Sequence, residues 1–89
     1  MYVGKVIGMV VATRKDDNLV GKKLLIVQQT DMKGNPSGNE EIAVDSVGAG
    51  TGEFVLVAKG SPARQVFDNP NSPIDAAIVG IIDNIEVKS

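Results

Sequence analysis

Asp45-Ser46-Val47-Gly48-Ala49-Gly50-Thr51-Gly52-Glu53, running at once into Phe54-Val55-Leu56-Val57-Ala58, is the stretch on which the fold turns. Three alternating glycines stand immediately before an apolar, β-branched run. Glycine tolerates φ > 0 and lets another backbone approach closely, so this loop takes an unusual path or makes a close contact. A phosphate-cradling loop is the first chemistry to test. The spacing is G-x-G-x-G, not G-x-G-x-x-G, and a strand follows where a dinucleotide loop opens a helix. The stretch therefore reads as a joint between strands or between subunits.

Working outward, Tyr2 to Thr13 is rich in valine, with Gly4 and Gly8 where a strand would bend or coil, as in a small barrel. Arg14-Lys15-Asp16-Asp17-Asn18 is a charged turn, and Lys23 to Thr30 a second strand. Gly21-Lys22 lacks the upstream glycine and the following Ser or Thr of a P-loop. Asp31 to Asn39, with Gly34-Asn35-Pro36-Ser37-Gly38, reads as a mobile loop. Its Asp31-Met32-Lys33-Gly34-Asn35 portion does not hold the acidic register of a calcium loop.

A third strand is expected at Glu41 to Asp45 and a fourth at Glu53 to Lys59. Gly60 to Phe67 predicts one short helix with Ser61 as N-cap and Pro62 at its first position. Asp68 to Pro73 ends that helix as a stiff loop, and Ala76 to Val87 is the last strand. The expected fold is all-β: a small five-stranded, OB-like β-barrel with one short helix, forming a single domain over residues 1–89. No segment is long and periodic enough for the crossover helix of an α/β fold.

Composition narrows the function. The 89 residues carry a formal charge of −2 and 3% aromatics, which disfavours binding to nucleic acid by charge or by base stacking. The run Ala76 to Ile82 falls far short of the roughly 20 residues that span a bilayer. No signal-peptide pattern opens the sequence and no cysteine is present, so a cytoplasmic setting without membrane or disulfides is expected. With neither histidine nor cysteine, the commonest general base and the strongest nucleophile are missing. No enzyme, cofactor or metal site is expected. Asp45 and Glu53 flank the glycine loop, and their plainer reading is as turn formers or caps.

Leu24-Leu25-Ile26-Val27, Phe54 to Val57 and Ile78 to Ile82 are apolar on both faces of their strands. A small barrel fills its interior from one face only, so the other must be covered by the helix, by loops or by another subunit. One short helix is too little cover, and burial of the outer wall between protomers is expected.

Set in order, these fragments resemble the EutN/CcmL family of bacterial microcompartment vertex proteins. The marks are Gly4-Lys5-Val6-Ile7-Gly8, Ala12-Thr13-Arg14-Lys15, Leu19 to Leu25, Ala43 to Glu53, Gly60-Ser61-Pro62-Ala63-Arg64 and Pro73 to Asp83. The resemblance implies a non-enzymatic shell protein, a homopentamer capping the vertices of a polyhedral, carboxysome-like shell. Hexameric shell proteins would be its neighbours, since a sheet of hexagons closes only with pentagons. It makes Asp45, Ser46, Val47, Gly48, Ala49, Gly50, Thr51, Gly52 and Glu53 the candidate subunit-interface or fivefold-axis loop. Arg14 and Lys15, and more weakly Lys33 to Asn39, are candidates for contacts with neighbouring shell proteins. The competing reading is an OB-type binding module for nucleic acid, oligosaccharide or a small ligand, favoured by barrel style alone.

Overall fold

The computed structural model describes residues 1–13, 15–67 and 73–88. Its elements are β1 (Tyr2–Val10), a 3-10 turn (Asp17–Leu19), β2 (Leu24–Thr30), β3 (Pro36–Asp45), β4 (Phe54–Lys59), α1 (Ser61–Val66) and β5 (Ala76–Ile81). The strands close into a barrel in the order β1-β2-β3-β5-β4, with β3 and β5 parallel and every other pair antiparallel. The expected five-stranded OB-like barrel with one short helix is the observed fold.

The period-2 alternation of the strands sends Val6, Leu25, Val27, Ala43, Val55, Val57 and Ile78 into the barrel, where they pack as one buried cluster. Gly4 belongs to this inward face of β1, opposite Val55. A Cβ there would lie 2.4 Å from Val27 Cγ1 and 2.9 Å from the Gln28 carbonyl, so the barrel wall closes only around a glycine. A bulge between Val6 and Gly8 then coils β1.

The surplus apolar faces divide in two. At one side α1 lies outside the barrel and shields a second cluster of Val44, Ala58, Ala63, Ile74 and Ala77, flanked by Leu19, Leu24, Phe67 and Val79. Elsewhere the outer wall is bare: Ile42, opposite Ile26 in the β2–β3 ladder, is 54% exposed, and Ile7 and Met9 are also exposed.

Four sequence expectations shift. Strand β1 stops at Val10, not Thr13. Strand β3 begins at Pro36, inside the stretch expected to be a mobile loop. Pairing with β2, through Thr30 opposite Pro36, imposes the strand on poor strand formers. The remaining turn is closed by Asp31, whose Oδ1 accepts from the N–H groups of Lys33 and Asn35, both at 2.9 Å. These donors, Asn35 first, hold the Asp31 carboxyl below its ordinary range. Ser61 is the first helical residue and not the cap: Gly60, at φ 68°, stands at the N-cap with no side-chain bond. Finally, β5 ends at Ile81 instead of Val87. The predicted stiff loop falls largely on residues 68–72, outside the described residues.

Candidate functional site

Asp45 is the last residue of β3, and its carboxylate turns forward over the loop it starts. Oδ1 accepts from Val47 N–H at 3.1 Å, while Oδ2 accepts from Gly48 and Ala49 N–H at 2.9 and 3.0 Å. One side chain thereby saturates three consecutive donors, as an Asx-type turn does. Ser46 ties the same corner to β5: its Oγ donates to the Ile78 carbonyl at 2.6 Å.

Ala49 is the plug. It is fully buried among Val6, Leu25 and Val55, although it lies in the middle of the loop. Its carbonyl accepts from Lys23 Nζ at 2.8 Å, a bond across the start of β2. At the far end Gly50 N–H donates to Glu53 Oε1 at 2.7 Å, and Glu53 N–H returns to the Gly50 carbonyl at 3.1 Å. Gly52 N–H donates to Val6 O at 2.8 Å, and Val6 N–H to Glu53 O at 2.9 Å, which sews the loop's exit onto β1.

Two of the three glycines explain themselves by conformation. Gly48 and Gly52 sit at φ 81° and 93°, where an L side chain is strained. Gly50 is outside that region, and a Cβ there would meet only Glu53 Oε1, at 3.4 Å. Space and not backbone is therefore what Gly50 supplies. The outcome is a rigid loop with low relief, in which Ser46, Val47, Gly48, Thr51 and Gly52 face outward.

The two carboxylates that flank the loop serve its opposite halves. Asp45 and Glu53 each close one half of the loop by binding backbone N–H groups, so they act as turn formers. Among the described residues no group of three or more carboxylates gathers around one ion position. Lys15 is exposed and donates from Nζ to the Ala12 carbonyl at 2.8 Å. It shares a cleft with Lys23, which links it to the glycine loop. Arg14 lies outside the described residues. Lys33 to Asn39 caps the β2–β3 hairpin, away from that cleft.

Sequence reasoning missed one polar constellation. Lys59 Nζ donates to Glu41 Oε1 and Oε2 at 2.8 and 3.0 Å, and lies 3.2 Å from Asp75 Oδ1. The Glu41 bond, ahead of Asp75, raises the ammonium's pKa. Beside it the Tyr2 hydroxyl is buried without a hydrogen bond of ordinary geometry among the described residues. Burial first, then Glu41 and Asp75, push the phenol well above the usual tyrosine value. No spacing in the sequence marks this group, because its members come from four different segments of the chain.

A closed OB-like barrel with a braced glycine loop and bare apolar outer wall defines a small β-barrel assembly domain. Comparison with known proteins gives the family. The model described as ethanolamine utilisation protein EutN/carboxysome matches residues 1–83, and the chain belongs to this EutN/CcmL family. It is 49% identical to the microcompartment shell vertex protein PduN of Salmonella typhimurium, over 96% of this chain and 98% of that one. It is 53% identical to the carboxysome shell vertex protein CcmL of Synechocystis, over 100% of this chain and 89% of that one. Among solved structures, the GrpN pentameric microcompartment shell protein of Rhodospirillum rubrum superposes with a TM-score of 0.89 at 51% identity, covering 99% of this chain and 100% of that chain. CcmL of Gloeobacter violaceus gives 0.89 at 45% identity, covering 98% and 90%.

Proposed function

We propose that this chain is a structural, non-enzymatic shell protein. It assembles into a homopentamer that caps the vertices of a bacterial microcompartment among hexameric neighbours inside the cell. The observation that carries this reading is the superposition of the whole barrel on a pentameric shell protein at 51% identity. Relatives named as vertex proteins point the same way. Pentagonal units give a hexagonal sheet its curvature and closure. A cyclic ring buries two different faces of every subunit, which accounts for an outer wall left apolar at Ile7, Met9 and Ile42.

The glycine loop, Gly48 to Glu53, packs at the protomer boundary or around the fivefold axis in this reading. Its support is the rigid, small-residue surface that the loop presents. Lys15, with Arg14, is the candidate contact to neighbouring shell proteins. Native mass spectrometry across a concentration series tests the assembly: a dominant pentamer is expected, and a persistent monomer or a hexamer would overturn the vertex role. Gly50→Val tests the loop. Its backbone tolerates the change, so a folded chain that no longer forms rings is expected, and normal assembly would remove the loop from the interface.

A further inference from the structure

One joint of the barrel is shorter than the rest. Strands β3 and β5 pair only through Val44 with Ala77 and Asp45 with Ile78, while every other neighbouring pair of strands is matched over a longer register. Continued in the same register, this parallel ladder would bring Asp75 opposite Ile42, but it stops first. A charged link stands in its place. Lys59 ends β4 and reaches both sides: its Nζ donates to Glu41 Oε1 and Oε2 at 2.8 and 3.0 Å and lies 3.2 Å from Asp75 Oδ1. At the other end of the seam, Ser46 N–H and Oγ both donate to the Ile78 carbonyl, at 3.3 and 2.6 Å.

The seam also has a cover. The ladder pair Val44 and Ala77 belongs to the outer buried cluster, together with Ala63 of α1 and Ile74. Gly60 N–H donates to the Asp75 carbonyl at 2.8 Å and Arg64 Nη1 to the Ile74 carbonyl at 3.2 Å, so α1 is tied to residues 74 and 75. Among the described residues, the Lys59–Glu41 pair is the one ion pair that fastens this side of the seam to β3. On the inner side the Tyr2 hydroxyl is buried beside Glu41.

We infer that the β3–β5 seam is a joint that opens by itself while the rest of the barrel stays closed, and that Lys59, gripping Glu41 on one side and Asp75 on the other, is its ionic latch. Opening breaks two residue pairs and the latch, while β3 stays on β2 and β5 stays on β4. Local openings of this kind start where the fewest backbone bonds hold. The Lys59 and Glu41 side chains are 38% and 30% exposed, and an ion pair this wet is weakened by salt. Ionic strength is therefore the signal to which the latch responds. An open seam bares the facing edges of β3 and β5, whose free backbone groups are a template for pairing with another chain. The inference concerns the single barrel and does not depend on ring assembly.

Hydrogen exchange read by mass spectrometry on the full chain tests it, with native mass spectrometry showing that the samples compared share one assembly state. Lys59→Met keeps the stem and removes the charge. It is expected to speed exchange about tenfold in residues 42–46 and 74–79, and by less than about twofold in residues 24–29 of β2. Glu41→Gln should give the same localised pattern. Raising sodium chloride from about 0.05 to about 1 M should speed the same two segments in the wild type and leave Lys59→Met unchanged. Equal acceleration in all three segments, or none, overturns the latch, as does an equal salt response in wild type and variant. If Lys59→Met does not fold, the wild-type salt series decides alone: a seam whose exchange ignores salt overturns the proposal.

Discussion

Lys23 Nζ donates to the Ala49 carbonyl at 2.8 Å, joining two residues 26 apart and pinning the glycine loop to the start of β2. The same Ala49 is fully buried, so one residue is held by packing at its methyl and by a charge-assisted bond at its backbone. This double fixation makes an irregular stretch with three glycines into a rigid surface.

Replacing Lys23 by Met keeps the stem and deletes the bond. A loss of about 1–2 kcal/mol is expected, near the lower end for bonds to charged groups because the lysine is solvent-accessible. Urea unfolding checks it, together with faster amide exchange confined to Ala49 and its neighbours. An unchanged midpoint and unchanged exchange would show that Ala49 packing suffices.

Asp45→Ala removes the acceptor of three backbone N–H groups at once. The expected loss is about 1–3 kcal/mol, since exposed donors turn to water while Ala49 N–H does so less readily. Asp45→Asn keeps one acceptor oxygen and should recover part of it. Equal stability of the two variants would assign Asp45 no capping role.

Gly4→Ala places a methyl carbon against Val27 Cγ1 and the Gln28 carbonyl. Overpacking of this kind costs about 1–3 kcal/mol. Val27→Ala alone also destabilises, by leaving a cavity. The double variant is expected to be less destabilised than the sum of the singles, because the contact at Val27 Cγ1 is relieved. Strict additivity in thermal or urea unfolding would count against the clash.

Tyr2 is the single tyrosine, and there is no tryptophan, so tyrosinate absorbance reports this residue alone. Its folded pKa is raised, and so is that of Lys59. A raised folded pKa gives stability that is whole below the unfolded value and lost as pH climbs toward the folded one. Both groups therefore weaken the fold only above about pH 10, the unperturbed range of Tyr and Lys. Tyrosinate should appear together with alkaline unfolding and not before it. Titration of the intact barrel near pH 10 would mean that the hydroxyl is wet.

Tyr2→Phe removes a buried hydroxyl that lacks an ordinary hydrogen bond among the described residues. Stability near neutrality is expected to stay level or rise by up to about 1 kcal/mol. A loss larger than that would reveal a bond between Tyr2 and Glu41 or a bound water.

The sequence by itself determined the strands and the class. Short, β-branched apolar runs such as Leu24 to Val27 and Phe54 to Val57, punctuated by glycine and proline clusters, are a local signal, and local signals survive in one dimension. The glycine loop was legible as a joint because φ > 0 demands a residue type, as it does at Gly48 and Gly52. Which glycine serves conformation and which serves space was not, since Gly50 differs from the others only by its neighbour Glu53. Closure of the barrel decided the rest. It drew Pro36 to Gly38 into a strand by pairing with β2, ended β5 at Ile81 with one last bond from Ile82 N–H to the Phe54 carbonyl, and gathered Tyr2, Glu41, Lys59 and Asp75 at one place. Those outcomes depend on contacts between segments far apart in the chain, and no spacing along the sequence encodes such a contact before the sheet has closed.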